Sequence, residues 1–172
     1  MKEIMKPILV LMLICLVITA ALAFTNEKTA PIIEQTEKAQ AEAAQKEVLP
    51  EADVFTQLEL TGLPSTVTAV YKAENGAGYV FKLAAKGYGG DMNLICGMDA
   101  DGRIVACKTL SHSETQGLGS KTTEDAFRGQ FTGKDAALDG VETISGATIS
   151  SKAYIGAIKD AFTAYELVKG AE

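Results

Sequence analysis

Residues 66–110 read TVTAVYKAENGAGYVFKLAAKGYGGDMNLICGMDADGRIVACKTL, and this stretch predicts the fold of the domain. Short runs rich in β-branched and aromatic residues alternate with turns that contain glycine. The runs predict four strands, at residues 67–73, 79–85, 92–99 and 103–110. Because the linkers between them are short, consecutive strands should run antiparallel. The stretch therefore predicts an antiparallel meander at the centre of one α+β domain.

The dipeptide Asp101-Gly102 lies between the last two predicted strands and is a strong hairpin signal. A two-residue turn there would set Cys96 directly opposite Cys107. Two interpretations of this pair stay open: a disulfide, or two half-buried strand cysteines without a bond. The third cysteine, Cys15, lies in an N-terminal apolar run. With no CxxC and no His/Cys cluster, the sequence does not indicate a zinc or iron–sulfur site.

Two helices are predicted after the meander, and both should pack on the sheet. Residues 122–131 indicate a short helix with Thr122 or Thr123 as its cap. Residues 151–168 indicate a longer amphipathic helix, because polar residues separate apolar ones that recur at spacings of three and four. Those apolar residues are Ile155, Ile158, Phe162 and Tyr165.

The start of the chain predicts a membrane anchor. Residues 7–24 contain 18 residues without a charge, which is about 27 Å of helix and just spans a bilayer. Lys2 and Lys6 precede the run, so residues 1–6 are expected in the cytoplasm and the rest of the chain outside it. The alternative is a cleaved signal peptide, because Ala21-Leu22-Ala23 resembles a cleavage site. We favour the anchor.

Residues 25–50 predict an exposed helical stalk, because they are rich in alanine, glutamate, glutamine and lysine. Val48-Leu49-Pro50 should end it, and the following stretch through Pro64 is predicted to be irregular. Residues 51–172 would then form the extracytoplasmic domain. The net charge of −6 leaves no broad basic face, so nucleic-acid binding is not expected.

Two polar loops could form a ligand site in this domain. Residues 142–151 (ETISGATISS) place several hydroxyls around one glycine just before the last helix. An anion such as phosphate is favoured at that position, although an ordinary helix capped by Thr148, Ser150 or Ser151 explains the spacing equally simply. Residues 110–121 (LSHSETQGLGSK) form the second loop, and two such loops indicate a ligand cleft.

A hydrolase is the enzyme class that these hydroxyls could also suggest. The second loop holds the only histidine, His112, which could act as a base toward Ser145 or Thr148. No GxSxG or SxxK motif accompanies it, so nothing orients a nucleophile. A histidine in a turn that makes local hydrogen bonds is the simpler interpretation, and no catalytic residue is assigned.

Residues 87–163 resemble the G subunit of the Rnf electron-transport complex, which is similar to the C subunit of the sodium-translocating NADH:quinone oxidoreductase. Both belong to the FMN-binding domain family. The stretches GYGGDMNLICGMDADGRI, LSHSETQGLGSKTTEDAF and ETISGATISSKAY carry the resemblance. The tetrapeptide SGAT alone is a weak motif, but SGAT after SHxETxGLG is specific. The resemblance implies an electron-transfer subunit of a membrane ion-translocating ferredoxin:NAD oxidoreductase complex, working with the other proteins of that complex.

The resemblance also implies a covalent flavin site. In that family a flavin transferase joins the FMN phosphate to the last threonine of SGAT, which is Thr148 here. Further residues would shape the attachment loop or contact the flavin from the facing loop: Ser145, Gly146, Ala147 and Ser150 in the first, and Glu114, Thr115, Gly117, Leu118 and Gly119 in the second. Gln116 stands where the family usually has proline, and Glu142, six residues before Thr148, stands where the motif for the transferase usually has aspartate.

Two other functions remain as alternatives to an Rnf-like subunit. One is the quinone-reductase counterpart, for which the chain is short. The other is a membrane-anchored, non-catalytic domain that binds an anionic ligand at the start of the last helix.

Overall fold

The computed structural model describes the backbone of residues 2–171 and the side chains of residues 6–33, 36 and 39–170. Met1, in the predicted cytoplasmic segment, and Glu172, in the predicted domain, lie outside the described residues. The chain divides into two units, Met1–Gln40 and Ala41–Glu172. Helix α1, Lys2–Val48, begins in the first unit and ends in the second.

The predicted anchor and stalk belong to one continuous helix, α1, which contains Pro7 and Pro31. Its end at Val48 confirms the predicted end of the stalk. Within it, Lys6–Ile33 is long and apolar enough to cross a membrane, by length and composition. A proline removes one helical hydrogen bond, and the strong helix formers that follow Pro31 allow the helix to continue.

One face of the last two turns of α1 is buried, so the exposure predicted for the whole stalk is wrong on that face. Ala44 and Val48 are almost fully buried, and they pack against Val80 and Ile95 of the sheet. The buried positions recur at helical spacing, at residues 41, 44, 45 and 48. Because three of the four are alanine or glutamine, composition alone did not reveal an apolar face.

The sheet has five antiparallel strands in the order β1-β2-β3-β4-β5. The four predicted strands are confirmed. One further strand lies in the stretch predicted to be irregular, and only four edge residues form it, too few to show a period. The strands are β1 Phe55–Leu58, β2 Val67–Ala73, β3 Gly78–Lys86, β4 Asp91–Asp99 and β5 Ile104–His112.

The turn between β4 and β5 has three residues, so the predicted two-residue turn is wrong. The Asp99 N–H donates to the Arg103 carbonyl at 2.9 Å, and Gly102 has a φ of 79°. This is a turn that requires a left-handed residue at its end. A bulge beside Met98 then shifts the register back, so that Cys96 lies opposite Cys107 as predicted.

The two cysteines are free thiols whose sulfur atoms lie 3.3 Å apart. Both are buried rather than half-buried as predicted, because the helices cover this face of the sheet. The hydrogen bond with Cys107, and then burial, raise the pKa of the Cys96 thiol well above its usual value.

The short helix predicted at residues 122–131 is divided into three pieces. A 3-10 helix at Gly119–Thr123 precedes helix α2, Asp125–Arg128, and a second 3-10 helix at Gly129–Phe131 follows it. The predicted cap is wrong: Glu124 occupies the N-cap position without a side-chain hydrogen bond. The hydroxyls of Thr122 and Thr123 instead donate to carbonyls of the preceding 3-10 helix.

Helix α3, Thr148–Ala171, packs on the opposite face of the sheet from the end of α1. It begins one turn earlier than predicted. Ile158, Phe162 and Tyr165 are buried as expected, while Ile155 is only partly buried. The fully buried Tyr154 ring lies 5.4 Å from the ring of Phe127 and 5.3 Å from that of Phe131, which fastens the first turns of α3 to the short helices.

Candidate functional site

The two predicted polar loops line one cavity of about 420 Å³ at the start of α3. The facing loop, residues 113–119, follows β5, and the attachment loop, residues 142–151, leads into α3. A cavity of this size is typical of small-molecule sites. Its lining consists of Tyr88, Glu114, Thr115, Leu118, Gly119, Gly146, Ala147, Thr148, Ile149 and Ser150.

Thr148 is the first residue of α3, and its side chain is exposed at the cavity. The Ser151 N–H donates to the Ala147 carbonyl at 2.9 Å. The N–H groups of residues 148–150 precede that first helical hydrogen bond. These N–H groups and the helix dipole favour a negative charge beside Thr148. The position therefore combines an accessible hydroxyl with a place for an anion.

The attachment loop is closed by local hydrogen bonds around Ser151. The Ser151 Oγ accepts from the Ile144 N–H at 3.1 Å and donates to the Ala147 carbonyl at 2.9 Å. The Ala147 N–H also donates to the Ile144 carbonyl at 3.0 Å. Gly146 makes the bend with a φ of 81°, a conformation that favours glycine. Ser151 thus stabilises the turn before α3, but its Oγ accepts from a loop N–H and not from an N–H of the first helical turn, so it is not the helix cap of the alternative interpretation.

Glu114 is buried, and its carboxylate connects three segments. One oxygen accepts from the Ser150 hydroxyl of α3 at 2.6 Å. The other accepts from the Gly89 N–H, in the turn between β3 and β4, at 3.3 Å. A Cβ on Gly87 or on Gly119 would collide with this carboxylate. Gly87, in the turn between β3 and β4, and Gly119, in the facing loop, are therefore needed for the close approach of Glu114.

Two residues predicted for the site lie beside the cavity rather than in its lining. The Gly117 N–H donates to the Ser120 Oγ at 2.8 Å, and its φ of 76° shapes the facing loop. Ser145 is exposed in the attachment loop. Gln116, which departs from the family pattern, is also exposed outside the lining.

His112 makes a local hydrogen bond, as the simpler interpretation expected. Its Nδ1 accepts from the Glu114 N–H at 3.1 Å, so the proton of the neutral ring lies on Nε2. Neither Ser145 nor Thr148 donates a hydrogen bond to it among the described contacts. The geometry gives no support to a hydrolase.

Sequence reasoning missed two residues that line the cavity, Tyr88 and Ile149. They are 73% and 58% exposed, and Leu118 beside them is 48% exposed. Three large apolar side chains left open around one small cavity suit a flat, apolar ligand surface. The signal in the sequence was an aromatic residue among glycines in the segment KGYGG.

The start of the attachment loop is held by Gln130, a residue that does not line this cavity. The Glu142 N–H donates to the Gln130 Oε1 at 2.8 Å, and the Gln130 Nε2 donates to the Glu142 carbonyl at 3.5 Å. Glu142 and Ile144 line a separate cavity of about 260 Å³. Loop residues 142–144 and 146–150 therefore line two different cavities.

The comparison with protein families first defines the class of protein. The FMN-binding domain family matches residues 87–163, which include both loops, Thr148 and the turn that carries Tyr88. The family of the RnfG N-terminal region matches residues 1–48, which is the whole of α1 with Met1. The site therefore lies in an FMN-binding domain that follows an RnfG-type N-terminal helix.

Comparison with individual proteins identifies the family within this class. The G subunit of the ion-translocating oxidoreductase complex of Methanosarcina acetivorans is 35% identical over 93% of this chain and 93% of its own length. The G subunit of the Na(+)-translocating ferredoxin:NAD(+) oxidoreductase complex of Acetobacterium woodii is 29% identical over 96% of this chain and 93% of its own. Its proton-translocating counterpart in Clostridium ljungdahlii is 37% identical over 54% and 56%. The chain belongs to the family of G subunits of Rnf-type ion-translocating oxidoreductase complexes.

The residues present fit FMN. The helix N–H groups beside Thr148 suit a phosphate, and Tyr88, Leu118 and Ile149 offer apolar surface to a flat ring system. The cavity of about 420 Å³ is large enough to take up part of the cofactor and open enough to leave the rest exposed.

Proposed function

We propose that this chain is the electron-transfer G subunit of a membrane complex that couples electron flow between ferredoxin and NAD to ion translocation. We further propose that its FMN is joined through the phosphate to the Thr148 Oγ. The observation that carries this proposal is the exposed Thr148 hydroxyl at the start of α3, on a cavity that the facing loop completes. When bound, FMN supplies the capacity to accept and donate electrons.

The protein supplies position and local electrostatics. The N–H groups at the start of α3 stabilise the negative phosphate, and Gly146, Ala147 and Ser150 shape the loop that presents Thr148. From the facing loop, Thr115, Leu118 and Gly119 contact the flavin, with Tyr88 and Ile149 extending the apolar surface. Glu114 keeps the facing loop against α3 through Ser150.

The bond to Thr148 requires an activated donor, because FMN itself has no good leaving group on its phosphate. A flavin dinucleotide such as FAD has one. The Thr148 Oγ forms a bond to the flavin-side phosphorus, the pyrophosphate P–O bond breaks, AMP leaves, and the hydroxyl proton passes to a base. A flavin transferase is the partner that catalyses this step.

A covalent bond has a clear advantage for a domain outside the cytoplasm, where free FMN cannot refill an empty site. Tethering gives an effective concentration of about millimolar, so a cavity with only about millimolar intrinsic affinity would still be half occupied. The ring can then stay partly exposed for electron exchange.

The decisive experiment is co-expression of the full chain with a flavin transferase, followed by intact-mass analysis and in-gel fluorescence under denaturing conditions. Wild type should gain the mass of one FMN less one water and give a fluorescent band. Thr148→Ala should give a dark band while keeping its fold, and Thr148→Ser should restore attachment. A dark wild-type band would favour the non-catalytic binding domain instead.

For the topology, we propose that residues 1–6 are cytoplasmic, that the apolar part of α1 spans the plasma membrane, and that residues 51–172 form the extracytoplasmic domain. Ala136 is exposed on the domain. In intact cells, a membrane-impermeant maleimide should label Ala136→Cys as fully as it does after lysis. Labelling only after lysis would reverse the orientation. A mature N-terminus near Phe24 would show a cleaved signal peptide instead of an anchor.

A further inference from the structure

The start of the attachment loop is held by one side chain from a distant segment. Gln130 accepts the Glu142 N–H at 2.8 Å and donates to the Glu142 carbonyl at 3.5 Å. The Gln130 amide therefore pairs with the backbone N–H and C=O of Glu142, as the backbone of a neighbouring β-strand would. Both backbone polar groups of Glu142 are paired, and its side chain is left exposed.

The short helix that contains Gln130 is packed tightly into the domain. It lies in the 3-10 helix Gly129–Phe131, and the next residue, Phe131, is fully buried. The Phe131 ring lies 5.5 Å from the ring of Phe127 and 5.3 Å from that of Tyr154. Because Tyr154 belongs to α3, Gln130 and the helix that begins at Thr148 are fixed to the same packed aromatic group.

The attachment loop is thus held at both ends. Gln130 holds the start of the loop at Glu142, and Ser151 holds its end through Ile144 and Ala147. Between these points Thr143 and Ser145 are exposed. The held segment spans the six positions that separate the acidic residue from the hydroxyl to be modified.

We propose that Gln130 is a positioning residue for attachment of the flavin: it fixes the Glu142 backbone, so that the Glu142 carboxylate and the Thr148 hydroxyl are presented together to the transferase. This inference rests on the proposed modification of Thr148. In that step the Thr148 Oγ bonds to the flavin phosphorus of FAD, the pyrophosphate bond breaks, and AMP and the hydroxyl proton leave. Gln130 touches none of the reacting atoms and acts through the backbone.

The expected effect on the rate of attachment is large, because a misplacement of about 1 Å caused by a change far from the reacting atoms can slow a positioned reaction about 100-fold. Gln130→Met keeps the length of the side chain but removes its donor and its acceptor. We expect this variant to take up flavin at least about tenfold more slowly than wild type. Gln57→Met is the matched control, because Gln57 is exposed on β1, away from the loop.

The experiment uses the full chain, purified without flavin, mixed with purified flavin transferase and saturating FAD. The initial rate of covalent attachment is read by in-gel fluorescence, and hydrogen exchange of the Glu142 amide is followed in the same flavin-free protein. Gln130→Met should speed that exchange about tenfold or more. Gln130→Glu, which keeps an acceptor oxygen, should retain the protection.

The two readouts separate this inference from the proposed function. If wild type takes no flavin, the modification of Thr148 is disproved, and hydrogen exchange alone decides whether Gln130 holds Glu142. If wild type is modified and Gln130→Met matches it within twofold, the positioning role is overturned while the proposed function stands. Gln130→Ala provides a second test with the same expected outcome if the methionine variant does not fold.

Discussion

The two loops of the site are held by different kinds of contact. The facing loop depends on one buried carboxylate, that of Glu114, which reaches Ser150 and Gly89, 36 and 25 positions away in sequence. Apart from that Ser150–Glu114 bond, the attachment loop is held by neutral hydrogen bonds to residues at most 12 positions away, from Ser151 and Gln130. One loop is therefore placed by long-range packing, whereas the other keeps its shape through its own neighbourhood.

This difference suits the proposed roles. A loop that another enzyme must modify needs a defined shape before the flavin fills the cavity, and local contacts provide it. A loop that closes over a ligand can rely on the packed domain. Changes in the facing loop should therefore reduce stability and flavin contact, while changes in the attachment loop should reduce attachment itself.

The largest effect on stability is expected from Glu114→Ala. It leaves the buried Ser150 hydroxyl and the Gly89 N–H without their acceptor, at a cost of about 3 kcal/mol in the free energy of unfolding. Glu114→Gln, which keeps the volume and one acceptor, should cost only about 1 kcal/mol. Urea unfolding of the flavin-free protein measures both. Equal costs for the two variants would show that packing, rather than the carboxylate, holds the facing loop.

A smaller loss is expected from Gly119→Ala. The added Cβ collides with the Glu114 carboxylate and lies 2.8 Å from the Ser150 Oγ, so overpacking should cost about 2 kcal/mol. Gly129→Ala is the matched control, because nothing lies within 4 Å of its added Cβ. In the Glu114→Ala background the cost of Gly119→Ala should fall, since the carboxylate is gone. Strictly additive costs would contradict the close contact between these residues.

Ser151→Ala tests the local contacts of the attachment loop. It removes the acceptor of the Ile144 N–H and one donor to the Ala147 carbonyl. Two neutral hydrogen bonds at a buried position correspond to about 1.5 kcal/mol. Urea unfolding should show this loss, and hydrogen exchange should show faster exchange at Ile144. Ser145→Ala, at an exposed position of the same loop, should change neither quantity.

Much of the fold could be predicted from the sequence because its elements carry strong local signals. The four longer strands contain β-branched runs between glycine turns, and α3 has a clear helical period. β1 has four residues and no period. The exposure of the last turns of α1 was predicted wrongly because small residues such as Ala44 bury a face that composition does not reveal.

The site was predictable in part, for a related reason. The two loops are contiguous segments with recognisable motifs, so most of the lining could be named. Tyr88 was missed because an aromatic residue among the glycines of KGYGG indicates a turn but does not show which cavity that turn lines. Gln130 was missed because its role depends on hydrogen bonds to Glu142, twelve positions away, which only the folded packing of Phe131 determines.

The smallest effect is expected from a third kind of contact, between the two buried thiols of the sheet. The pKa of Cys96 is raised in the folded state above its ordinary value of 9.0. As the pH rises past about 9, the unfolded chain loses this proton first, so the unfolded state is favoured. The contribution of the protonated thiol to the free energy of unfolding should be complete below that pH and should fall above it, by about 1.4 kcal/mol at one pH unit above.

Burial also raises the pKa of Tyr154, whose ordinary value is 10.0, so the decline should steepen above pH 10. Urea unfolding between pH 7 and 11 measures the decline, and Cys96→Ala should make it shallower between pH 9 and 10. An unchanged slope in that variant would mean that the alkaline loss arises elsewhere in the domain.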